Sequence, residues 1–174
     1  DADDDSWGWN VGALFNLSDA TKVGVSYRSK IKHELKGSLE FSGTAANRHP
    51  LTTGVSASAD VELPDIFILS LSHKLDSRWE LLGDVSWTGW SSVDKADIMR
   101  TSGLLLGTPQ EKAQTLDTDF QDTWRVALGA NYQLNDAWKL KFGVAFDETP
   151  VKNAEKRLTS LPDNDRIWFS FGGQ

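Results

Sequence analysis

His33, His49 and His73 are the side chains here whose unperturbed pKa lies near neutrality, so acid–base or nucleophilic chemistry would begin with them. None has a suitable partner. His33 lies within Lys32-His33-Glu34 and His73 within Ser72-His73-Lys74, both on the apolar side of alternating segments, and His49 sits beside Pro50 in a loop. No Gly-x-Ser-x-Gly elbow, phosphate loop or His-Glu-x-x-His occurs. The lack of cysteine removes thiolate metal sites and a disulfide framework. Asp163 and Asp165 come nearest to a Ca²⁺ site, but their position at a loop end better suits a structural contact. The sequence therefore predicts no catalytic residue, no metal and no cofactor, with interfacial roles for the histidines.

The elements that carry these residues are strands. Four segments place two aromatics eight positions apart on one face: Trp7/Phe15, Trp79/Trp87, Trp124/Tyr132 and Trp138/Phe146. Residues of matching parity between them are mostly apolar, and those of opposite parity are small or polar. Period-two alternation means β-strand. Eight residues of strand rise about 27 Å, or about 20 Å along a barrel axis once tilted by ~40°, close to the apolar band of an outer-membrane barrel. Seven strands are expected, at about 6–17, 21–41, 55–74, 79–91, 122–134, 138–147 and 166–172. The second and third exceed what a bilayer needs and are expected to project beyond it as a hairpin. Odd-numbered apolar residues from Trp7 to Phe146 are expected to face lipid.

Three tight connections resemble each other: Leu17-Ser18-Asp19-Ala20-Thr21, Leu75-Asp76-Ser77-Arg78-Trp79 and Leu134-Asn135-Asp136-Ala137-Trp138. Those at 42–54, 92–121 and 148–165 are long and rich in Gly, Pro, Asn, Asp and Thr, as exposed loops are. Short turns alternating with long loops is the build of an outer-membrane barrel. No run of about 18 apolar residues forms a membrane helix. A basic n-region and an apolar h-region are both missing from the first residues, so the chain reads as mature or as a fragment. The acidic cluster Asp1, Asp3, Asp4 and Asp5 reads as a solvated loop end, and the net charge of −7 disfavours nucleic acid. A soluble barrel or sandwich with the apolar parity turned inward is the rival fold.

If the apolar parity meets lipid, Lys22, Arg28, Lys30, Lys32, Glu34, Glu80, Asp84, Arg125, Lys139, Lys141 and Asp147 face the lumen. The mixed signs suit a lattice of pairs that rigidifies a barrel. Among them the lumenal parity also carries apolar Leu14, Ile66, Ile68, Leu82, Trp90 and Trp168. Apolar groups in a wet channel are costly unless they pack on a plug or serve an apolar solute.

Several strings resemble the outer-membrane long-chain fatty acid transporter (FadL) family. They are Gly8-Trp9-Asn10-Val11-Gly12-Ala13-Leu14, Val25-Ser26-Tyr27-Arg28-Ser29-Lys30, Leu63-Pro64-Asp65 and Trp87-Thr88-Gly89-Trp90-Ser91. They continue with Arg125-Val126-Ala127-Leu128-Gly129-Ala130-Asn131-Tyr132, Gly143-Val144-Ala145-Phe146-Asp147 and Leu161-Pro162-Asp163-Asn164-Asp165-Arg166-Ile167-Trp168. The resemblance implies about seven strands of a fourteen-strand, all-β, antiparallel up-and-down transmembrane barrel, with the N-terminal hatch, early strands and final strands outside the chain. It further implies passive uptake of long-chain fatty acids or aromatic hydrocarbons by a monomer in the outer membrane, among lipid or detergent. A general diffusion porin or a structural barrel is the alternative. At the last loop, Pro162 is expected to end the irregular segment and Arg166 to pair with Asp147. With Asp163 and Asp165 they would form a loop clamp over the pore mouth.

Overall fold

A computed structural model describes residues 2–39, 55–93, 95–100, 111–117, 119–153, 155 and 163–174. Seven strands form an antiparallel meander: β2 (Asn10–Asn16), β3 (Thr21–Arg28), β6 (Ile66–Lys74), β7 (Trp79–Thr88), β10 (Thr123–Gln133), β11 (Lys139–Asp147) and β12 (Arg166–Gly173). A second sheet, in order β1-β4-β5-β8-β9, comprises β1 (Ala2–Asp3), β4 (Ile31–Leu39), β5 (Val55–Leu63), β8 (Lys95–Arg100) and β9 (Glu111–Asp117). Every link between the two sheets leaves the meander at the end opposite its tight turns.

The sequence expectations need four corrections. The long second and third segments are each two strands, broken at Ser29-Lys30 and at Pro64-Asp65. Proline lacks the N–H a ladder needs, so pairing stops there and resumes in another sheet. The 92–121 connection carries the β8–β9 hairpin, whose alternation is too short to stand out. Lys30, Lys32 and Glu34 consequently lie in or next to the second sheet, where Lys30 and Lys32 meet Glu62 at 3.6 and 3.5 Å, not in the lumen. The lipid-side set is odd-numbered from Trp7 to Trp87 but even-numbered from Trp124 to Phe146, because the long connection shifts the count. The face itself is unbroken, since Trp87 pairs with Trp124 and Val85 with Val126.

Opposed residues in an antiparallel ladder share a face. The outer face can therefore be followed across all seven strands, as in Ala13–Val25–Leu69–Val85–Val126–Phe146–Ile167. Leu128 is 62% exposed, Phe142 43% and Phe169 83%. Buried apolar side chains among the described residues are few, Ala145, Pro150 and Val151. Trp87, Leu128 and Phe142 therefore share no closed core, and the soluble rival fails. Aromatic contacts gather near the strand ends, with Trp9 5.3 Å from Tyr27 and Trp79 4.5 Å from Tyr132 between ring centroids.

The three tight turns share one device. Leu17, Leu75 and Leu134 each donate their N–H to the carbonyl four residues on, at 2.9 Å. The next side chain then accepts from two turn amides. Ser18 Oγ takes Ala20 and Thr21 (3.2 and 3.0 Å), Asp76 Oδ1 takes Arg78 and Trp79 (2.7 and 2.8 Å), and Asn135 Oδ1 takes Ala137 and Trp138 (both 3.0 Å). The Arg78 amide, followed by that of Trp79, holds the Asp76 carboxyl below the ordinary carboxylate range. A lowered folded pKa contributes stability above the unfolded value, and that stability is lost as pH falls through the folded one. Asp76→Ala in the intact protein should therefore lower the unfolding temperature at pH 7. The deficit should narrow once pH drops below about 4, as followed by the heat-dependent gel shift of the barrel. A deficit independent of pH would show that the carboxylate charge contributes nothing.

Candidate functional site: the lumenal wall

The inner face is built in rows across the meander. One row reads Leu14–Gly24–Ser70–Asp84–Ala127–Ala145–Trp168, and the next reads Asn16–Lys22–Ser72–Leu82–Gly129–Gly143–Ser170. The large apolar side chains Leu14, Leu82 and Trp168 are therefore set among glycine, alanine and serine. A concavity of about 660 Å³ runs along these two rows and takes in Leu14, Leu82 and Trp168 together with Ala127, Gly129, Gly143 and Ala145. The small residues make its floor. A Cβ on Gly129 would stand 3.6 Å from Leu82 Cβ and 3.2 Å from the Phe142 carbonyl, and one on Gly143 would lie 2.6 Å from Ser170 Oγ.

Ile66 and Ile68 stand apart, lining a separate concavity of about 410 Å³ with Asn10, Ser26 and Arg28. Trp90 is on no strand. It opens the 3-10 turn Trp90–Ser92 and meets Phe120 edge-on, with ring centroids 6.0 Å apart. Sequence reasoning overlooked the small residues. Alternation marks a large apolar side chain on the polar face, whereas a glycine or alanine there looks unremarkable until its neighbours are known.

Polar groups of the wall are engaged with one another. Asp84 accepts from Ser70 Oγ (2.8 Å) and pairs with Arg125 (3.3 Å). Glu80 accepts from Ser72 and Asn131, both at 2.8 Å, with Lys139 and Lys74 nearby. His73 Nδ1 lies 2.8 Å from Thr21 Oγ1, a neighbour on the outer face.

At the mouth, Arg166 Nη2 is 3.1 Å from Asp147 Oδ2 and Nη1 is 3.5 Å from Asp163 Oδ1. Asp165 does not face Arg166 in an ion pair; its Oδ1 accepts the Thr149 amide at 2.9 Å. Asp163 Oδ2 accepts the Thr149 hydroxyl at 3.1 Å, and that hydroxyl's oxygen accepts the Val151 amide at 3.3 Å. Pro162 lies outside the described residues. The carboxylates are thus occupied by donors of their own loop and strand, as a structural contact requires. Just before the wall breaks at Pro64, Tyr27 donates to Asp65 Oδ2 at 2.9 Å and Gly89 donates its amide to the Asp65 carbonyl at 2.9 Å.

The antiparallel meander is shared with known proteins. Residues 1–174 match the family described as outer membrane protein transport protein (OMPP1/FadL/TodX). The chain belongs to that family. A long-chain fatty acid transport protein of Escherichia coli is 32% identical over 174 residues, covering 95% of this chain and 37% of that protein. A putative outer membrane protein of Neisseria meningitidis is 31% identical, covering 95% of this chain and 38% of the other. The chain thus spans under two-fifths of the length of these curated relatives. The crystal structure of a Pseudomonas aeruginosa FadL homologue superposes with a TM-score of 0.80 at 28% identity, covering 95% of this chain and 39% of that one. The Pseudomonas putida toluene transporter TodX shares the fold, with a TM-score of 0.62 at 22% identity. Family membership places the chain in the outer membrane of a Gram-negative bacterium.

Half-exposed ion pairs contribute only about 0–1 kcal/mol, so Arg166→Ala in the intact protein should leave the unfolding temperature nearly unchanged. Its effect should instead be local. Hydrogen exchange should accelerate at the Thr149 and Val151 amides, which Asp165 and the Thr149 hydroxyl satisfy. Unchanged exchange at both amides would show that Arg166 does not organise the loop.

Proposed function

We propose that this segment supplies one wall of a passive route for hydrophobic small molecules, long-chain fatty acids or aromatic hydrocarbons, across the outer membrane. The apolar trough of Leu14, Leu82 and Trp168 over Ala127, Gly129, Gly143 and Ala145 carries the reading. A lumen made for sugars or ions gains nothing from apolar lining, whereas a hydrophobic solute is desolvated by it at about 25 cal/mol per Å² of apolar surface. Names of relatives support the same reading, since they include a long-chain fatty acid transport protein and a toluene transporter. The chemistry is transfer, in keeping with relatives named as a transport protein and a transporter. The intact protein acts as a monomer, with the Arg166–Asp147–Asp163 cluster and Asp165 holding the last outer loop over the mouth. Ile66, Ile68 and Trp90 line its approach.

Filling the floor tests the route directly. Gly129→Trp in the full-length protein puts an indole on the floor of the trough, beside Leu82. Uptake of radiolabelled oleate and of toluene by cells carrying it should fall to the level of cells lacking the gene. Gly172→Ala, outside the trough and with a Cβ that meets only Lys141 Cβ at 4.0 Å, should transport normally. Wild-type uptake of both compounds by a surface-expressed Gly129→Trp protein would remove the trough from the route.

A further inference from the structure

The trough is flanked by two cations of different standing. Arg125 is already neutralised by Asp84 at 3.3 Å. Lys22 also borders the trough, yet no carboxylate among the described residues lies within ion-pair distance of it. It sits in the same row as Leu82, separated from it by Ser72, and opposite Asn16. Neither neighbour carries charge. From Lys22 on β3 to Trp168 on β12 the wall crosses five strand spacings, about 24 Å at ~4.8 Å each. The apolar and small residues occupy the span between.

We infer that Lys22 is the specificity-determining residue of this wall. Its ammonium takes the carboxylate of a long-chain aliphatic acid whose tail lies across Leu82 and Gly129 toward Trp168. This rests on the transport reading above and refines it. A neutral hydrocarbon uses the same apolar surface but draws nothing from Lys22. A cation at one end of an apolar trough roughly as long as an extended acyl chain matches an acid with a charged head and a greasy tail. An ammonium–carboxylate contact beside apolar surface is charge-assisted and stronger than one in open water.

Binding to the purified full-length protein, measured with oleate and with oleyl alcohol as its neutral counterpart, separates the two. Lys22→Met should weaken oleate by about tenfold, the size of one charge-assisted contact, while oleyl alcohol changes by less than about twofold. Lys22→Arg should restore oleate. Equal weakening of both compounds would overturn the inference and mark Lys22 as structural. Unchanged oleate binding by Lys22→Met would overturn it as well. The Gly129→Trp protein keeps the levels of argument apart. Loss of both compounds there, with no effect of Lys22→Met, leaves the trough in place and removes only its carboxylate anchor. Retention of both compounds removes the trough itself.

Discussion

Backbone amides and carbonyls facing lipid have no water to turn to, so each must find a partner in the protein, and this one requirement shapes the chain. The seven-strand meander meets it with ladders that run unbroken along β2 to β12, and with turns whose second side chain caps the amides left over. Outside the three tight turns, most irregular backbone among the described residues lies at the end where the outer sheet begins. Ser29, Asp65, Gly89, Thr123, Thr149 and Val151, nearly all the buried residues described, lie at the breaks between strands there. Side chains take over where the ladder stops: Ser29 Oγ accepts the Trp9 amide at 3.0 Å, and the Glu148 carboxylate accepts that of Trp124 at 3.0 Å.

With the backbone closed in this way, the usual relation between burial and polarity inverts. Large apolar groups spread outward on one face, and the inner face must dispose of its charges. It does so by pairing neighbours across strands, as in Ser70–Asp84–Arg125 and Asn131–Glu80–Ser72. Each of these partly exposed contacts is weak alone. Together they orient the side chains and keep the wall rigid.

Rigidity of the wall is what makes the trough meaningful. Glycine and alanine at Gly129, Gly143, Ala127 and Ala145 leave room that a flexible loop would fill by relaxing, while a paired strand cannot move inward to fill it. The same absence of side chains lets Leu82 and Trp168 stand as sides of the trough instead of packing on each other. Relatives named for fatty acids and for toluene share this strand framework.

The sequence by itself determined the meander. Alternation, repeated turn strings and aromatic spacing identify all seven wall strands and their lipid face, because each is a local property written at period two or at a turn. It also determined the pairing of Arg166 with Asp147, since both end neighbouring strands on the lumenal parity. Only the tertiary structure decided where the long segments break into a second sheet, because a proline and a serine look alike to an alternation count. It also decided that Lys30, Lys32 and Glu34 leave the lumen, and that Leu14, Leu82 and Trp168 share one trough while Ile66 and Ile68 face another. Those facts depend on which strands are neighbours and in what register, and no single segment carries that information.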